Sequence, residues 1–163
     1  MTTYIVTNGT TVLGNDSVQG TAGTSDTVTL LGSGGTLSVS AIDSVIGTGG
    51  ISDAVALLGT GAGEVSVSAI ESVLGRSGET DTVTLLDGSG TVRVSLVDEV
   101  IGTTATTDVI GMLSGGALSV SAVESVAGSA TTDTVTLLDN GGVTVSGVES
   151  VIGRPPRRGD QLD

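Results

Sequence analysis

Apolar and polar residues alternate along this chain in short runs that glycine interrupts. Asp26-Thr27-Val28-Thr29-Leu30 places an aliphatic side chain at every second position, the period of a strand with one buried face. A glycine turn, Gly32-Ser33-Gly34-Gly35, leads to a second alternating run, Leu37-Ser38-Val39-Ser40. A third run around Asp43-Ser44-Val45-Ile46 closes at Gly47. The pattern predicts three short strands joined by tight corners.

This unit returns through most of the chain. Aligned on the acid that opens the first strand, the copies begin at Asp26, Asp53, Asp81, Asp108 and Asp133. A second acid recurs at Asp16, Asp43, Glu71, Asp98, Glu124 and Glu149. The arc from second acid to next first acid is nearly constant in length, while the arc from first to second acid varies by a residue or two. A glycine ends every copy, at Gly20, Gly47, Gly75, Gly102, Gly128 and Gly153. Glycine at a fixed point implies either positive φ or a close approach between coils.

Self-similarity with a period of roughly 25–28 residues is the signature of a stacked repeat. The expectation is an all-β fold: a parallel β-solenoid (β-helix) of five full coils plus a degenerate N-terminal coil. Each coil would take three strands and about 27 residues. An antiparallel sandwich is the rival architecture. Residues 1–23 would be the degenerate coil, 24–153 the five-coil solenoid and 154–163 a polar flexible tail. Val28, Val55, Val83, Ile110 and Val135 would stack as one inward column, and Val39, Val67, Val94, Val120 and Val145 as another. Like would stand on like, burying a core that no single repeat buries. At roughly 4.8 Å per coil the body would be about 25–30 Å long.

Composition narrows the chemistry. The 163 residues carry 18 acids and five basic residues, all arginine, for a net charge of −13. That balance argues against nucleic acid and anionic membrane surfaces as partners, because both need a basic footprint. The one aromatic is Tyr4, so a slender aliphatic core suits the chain better than a round one. No apolar run reaches the roughly 18–20 residues of a membrane helix, and the N-terminus shows no Sec-type leader. With no cysteine and no histidine, disulfides and thiolate or imidazole chemistry are absent, and the chain is not expected to be an enzyme.

The recurring acids are the candidate binding residues. Stacked coils would turn them into ladders with neighbouring carboxylates roughly 5 Å apart, a repulsion of about 1 kcal/mol per pair in water. Two things offset such a ladder. Backbone N–H groups of the turns are one. Bound calcium is the other, with Asp26, Asp53, Asp81, Asp108 and Asp133 and the second set Asp43, Glu71, Asp98, Glu124 and Glu149 as its ligands.

The loop Gly49-Gly50-Ile51-Ser52-Asp53-Ala54-Val55 resembles the glycine-rich nonapeptide of RTX (hemolysin-type) calcium-binding repeats, departing from it at Ser52. The period is also longer than two nonapeptides together. The stretch from about residue 12 to 153 is similar in repeat style to large RTX-like, type I-secreted bacterial surface adhesins. That resemblance implies calcium, an extracellular or cell-surface location, and type I-like export without a cleaved leader. The fold itself suggests a structural, self-assembling protein that joins head to tail, since open strand edges at both ends invite a second copy.

Two further motifs stand out. Thr27-Val28-Thr29, Thr82-Val83-Thr84 and Thr134-Val135-Thr136 look like the threonine ladder of ice-binding solenoids, interrupted by Ala54/Ala56 and Val109/Gly111 in the intervening copies. Arg158-Gly159-Asp160 spells an integrin-read tripeptide in the tail after Pro155-Pro156, where a chance occurrence in a charged terminus is the plainer reading.

Overall fold

The computed structural model describes residues 3–5, 10–13, 16–21, 25–31, 34–49, 52–87, 89–104 and 107–154. Its strands come in six consecutive triplets. The first two are β1 (Thr3–Ile5), β2 (Thr10–Leu13), β3 (Ser17–Gln19) and β4 (Thr27–Leu31), β5 (Gly35–Ser40), β6 (Ser44–Ile46). Next come β7 (Asp53–Leu57), β8 (Gly63–Ser68), β9 (Ser72–Leu74) and β10 (Asp81–Leu85), β11 (Ser89–Ser95), β12 (Glu99–Ile101). The last are β13 (Thr107–Met112), β14 (Gly116–Ser121), β15 (Ser125–Ala127) and β16 (Asp133–Leu137), β17 (Thr144–Ser146), β18 (Ser150–Ile152). No helix among the described residues is long and apolar enough to cross a membrane.

The chain is a parallel β-solenoid with two walls. Odd-numbered strands form one nine-stranded sheet and even-numbered strands the other, each in chain order. A coil is therefore two strands. Gly35 pairs with Asp53 one coil on, and Gly63 with Asp81 in the same way. Coils shorten or lengthen with their loops: the step from Val109 to Ser125 is compact, and the step from Ser44 to Ser66 is long.

The expected three-strand coil is thereby corrected. The sequence unit has three strands and the coil has two, so each unit spans one and a half coils and successive copies begin on opposite walls. Two sheets packed about 10 Å apart are filled by facing aliphatic side chains, and the hydrophobic core here is made of Val, Leu and Ile with Met112. Nine rungs at about 4.8 Å also make a body of about 40 Å, longer than expected.

The inward positions are the expected ones, but equivalent positions of successive copies do not stand on one another. Val28 pairs with Val45, and Val45 with Val67. On the same wall Val65 pairs with Val83, Val83 with Val100 and Val100 with Val120. First strands lie on third strands, third on second and second on first. Val28, Val55, Val83, Val100, Ile110 and Val135 have no exposed surface. Ile42, Ile70, Val97 and Val123 plug the corners between second and third strands and are buried too.

Candidate functional site

The recurring acids sit where the chain passes from one wall to the other, and each does a defined piece of backbone work. The third strand ends at its glycine, the chain turns, and the first acid opens the next strand. That acid folds its carboxylate back over the turn. Asp53 Oδ2 accepts the Thr48 N–H at 2.6 Å and the Thr48 hydroxyl at 2.7 Å. Asp26 takes the Thr21 N–H in the same way at 2.6 Å, and Asp108 and Asp133 take those of Thr103 and Ser129. All five first acids are buried, none more than 2% exposed. A buried carboxylate is tolerable only if hydrogen bonds replace its water, and a charge-assisted bond to N–H is a strong replacement.

The second acid completes the corner from the next rung. Its carboxylate accepts the N–H of the first acid: Asp26 to Asp43 at 2.8 Å, Asp53 to Glu71 at 2.7 Å, Asp81 to Asp98 at 2.9 Å. Asp108 to Glu124 and Asp133 to Glu149 are each 2.7 Å. In return, the N–H of Asp43, Glu71, Asp98 and Glu124 donates to the backbone carbonyl of the first acid at 3.0–3.2 Å. Those four pairs of acids are thus reciprocal clasps between adjacent rungs.

The expected ladder of stacked carboxylates is not what forms. The acids Asp53 and Asp108 open strands on one wall, while Asp26, Asp81 and Asp133 lie at strand starts on the other. On one wall, first strands recur every third rung, roughly 14 Å apart. That is about three times the spacing of the expected ladder, so the repulsion between equivalent acids, which falls as the inverse of distance, drops by about the same factor. Among the described residues no three acidic side chains gather as a metal-binding group. Gly50 and Ile51 of the RTX-like loop lie outside the described residues.

One corner uses an ion pair. Arg76 stands where other copies have Thr48, Thr103 or Ser129. Its N–H caps Asp81 at 2.5 Å, its Nε reaches Asp81 Oδ1 at 3.1 Å, and its Nη2 closes a salt bridge on the same oxygen. The bond to Asp81 raises the guanidinium pKa above its ordinary value. Shallow grooves flank Arg76, the larger of about 490 Å³ lined by Ala41, Leu58, Gly59 and Glu64 among others.

The structure also decides what the glycines are for. Gly47, Gly75, Gly102 and Gly128 lie against the carbonyl oxygens of Ala69, Leu96, Ala122 and Gly147 in the next coil, and Gly20 against that of Ala41. A Cβ on any of the five would stand 1.8–2.0 Å from that oxygen. Of the two meanings open to these glycines, close approach is the one used. The facing residues turn their carbonyls inward by adopting φ between 51° and 62°, a left-handed conformation that costs an L-residue roughly 1–2 kcal/mol.

Asp87 and Asp139 steady two of these left-handed corners. Asp87 accepts the Ala69 N–H at 2.8 Å and the Ser68 hydroxyl at 3.0 Å. Asp139 does the same for Ala122 and Ser121. The N–H groups of Ala122 and then Gly141 hold the Asp139 carboxyl below its ordinary pKa. Both acids follow a Leu-Leu pair, which offers a signal for them, but only two of the five copies carry them.

The threonine pairs are placed differently from expectation. Thr27/Thr29, Thr82/Thr84 and Thr134/Thr136 all lie on the even-numbered wall, and Ala54/Ala56 and Val109/Gly111 on the other. The threonine rungs are still three apart, with Glu64 and Glu99 flanking Thr82 as its strand partners. Asp98 and its neighbour Glu99 serve separate ends, Asp98 clasping Asp81 and Glu99 pairing in the sheet. Arg158-Gly159-Asp160 and Pro155-Pro156 lie outside the described residues. No family model, curated protein or solved structure matches this chain.

Proposed function

We propose that this protein is a structural building block that joins copies of itself end to end through its open terminal rungs. The observation that carries the reading is the last coil. Val45, Val73, Val100 and Val126 have no exposed surface, yet their equivalent Val151 is 49% exposed. Val143, Val145 and Val148 are likewise only partly buried. Backbone N–H and C=O groups along such an edge are a template for another strand. Burying Val151 and its neighbours under a further rung supplies apolar area in addition to those bonds.

The corner acids fit this reading as internal fasteners. Their oxygens hold backbone N–H groups, which favours capping over calcium ligation as their task. The resemblance to RTX-like surface proteins supports an extracellular or cell-surface setting for the assemblies. Sedimentation velocity across a concentration series tests the proposal. Species growing with concentration, and abolished by Val151→Asp, are the expected result. Monomer at every concentration, with and without calcium, overturns it.

A further inference from the structure

We infer that copies stack in phase: a partner copy lays its β1 on β17 and its β2 on β18, so both walls run through the junction unbroken. This rests on the end-to-end reading above and adds the identity of the contact. Within the chain, each wall repeats a fixed order in which a third strand receives a second, and a second receives a first. At the C-terminal edge the odd wall ends in β17, a second strand, and the even wall in β18, a third strand. The order then calls for a first strand on β17 and a second strand on β18. Those are what the N-terminal edge presents. Tyr4 pairs with Val18 as Val83 pairs with Val100, which makes β1 a first strand. Val12 pairs with Leu30 as Val67 pairs with Leu85, which makes β2 a second strand. Strand type and wall agree at once.

The register follows from the internal joints. Ser44 and Val45 take Ser66 and Val67, so Ser150 and Val151 take the partner's Thr11 and Val12. Ser66 takes Thr84, so Thr144 takes the partner's Ile5. Val151, half-exposed in one copy, then lies beneath the next copy's aliphatic column. Gly153 is explained as well. Its five equivalents each face a carbonyl from the following coil, while a Cβ at Gly153 would meet nothing within 4 Å among the described residues. In the stack, a following coil is present.

A cysteine pair reads the register directly, because the chain has no cysteine of its own. Partners in adjacent rungs lie about 4.8 Å apart, inside the roughly 4.4–6.8 Å between Cα atoms that a disulfide spans. Thr11 and Ser150 are both exposed, so Thr11→Cys with Ser150→Cys leaves the core intact. On oxidation the double variant should give a ladder of multimers on a non-reducing gel, and Ser150→Cys alone should give dimers at most. Assembly seen by sedimentation without a ladder from the double variant overturns the in-phase register and leaves the end-to-end reading standing. Monomer in sedimentation and on the gel overturns both. Gly153→Ala should not lower the melting temperature under conditions where the chain is monomeric, yet it should lower the multimer yield several-fold. Undiminished multimers from that variant would contradict the in-phase contact.

Discussion

Gly75→Ala is the sharpest probe of how the coils are spaced. The new Cβ would stand 2.0 Å from the Leu96 carbonyl oxygen, where contact distance is roughly 3.5 Å. Leu96 and Gly75 would have to separate by about 1.5 Å. The joint resists, because the Gly75 N–H is bound to the Ser95 carbonyl at 2.8 Å in the same place. Overpacking of this kind costs about 1–3 kcal/mol, and a buried backbone pair left unmade adds about 1–3 kcal/mol. The expected loss is about 2–6 kcal/mol, a large share of the roughly 5–15 kcal/mol that holds a typical domain together. Two glycines serve as controls. At Gly49 and Gly153 an added methyl would find nothing within 4 Å among the described residues, and neither carries a positive φ. Alanine there should be neutral or stabilise by about 0.4–1 kcal/mol. Urea denaturation followed by circular dichroism, on monomeric protein, measures all three. A Gly75→Ala loss under about 1 kcal/mol, or an equal loss at Gly153, would refute the close-approach argument.

Three further outcomes follow from the corners. Asp108→Ala strips the cap from the Thr103 N–H and should cost about 1–3 kcal/mol by urea titration; Asp108→Asn, which keeps an acceptor oxygen, should cost less. The Asp139 carboxyl titrates below its ordinary value when folded, so its contribution is present above the ordinary carboxylate range and fades as pH falls through the folded value. Melting curves of wild type and Asp139→Ala should therefore converge in acid and separate toward neutral pH; a constant gap would contradict the charge-assisted cap. If capping is the acids' task, the melting temperature should be the same in chelator and in millimolar calcium, whereas a rise with calcium would favour ligation.

Much of this was legible in the alternating pattern, and the limit of legibility is instructive. Val28, Leu37, Val45 and Val55 are inward in the sequence pattern and buried in the structure, because a period of two reports which face of a strand meets the core. The number of walls is invisible to that signal. Copies beginning at Asp26 and Asp53 land on opposite walls, yet both walls face one shared core and so select the same aliphatic residues. Spacing between the acids carried more than it first suggests: Asp26 and Asp43 are one coil apart and clasp each other. The left-handed corners at Ala41, Ala69, Leu96 and Ala122 were hidden, since only Gly147 among the five is the residue that such a conformation favours.

Fibre diffraction from aligned assemblies tests the central claim most directly. Head-to-tail stacking of nine-rung copies puts the strands across the fibre axis and predicts a meridional reflection at about 4.8 Å, with a subunit repeat of about 43 Å along the axis. Strands running parallel to the axis, or a protein that stays monomeric at concentrations where fibres should grow, would contradict it.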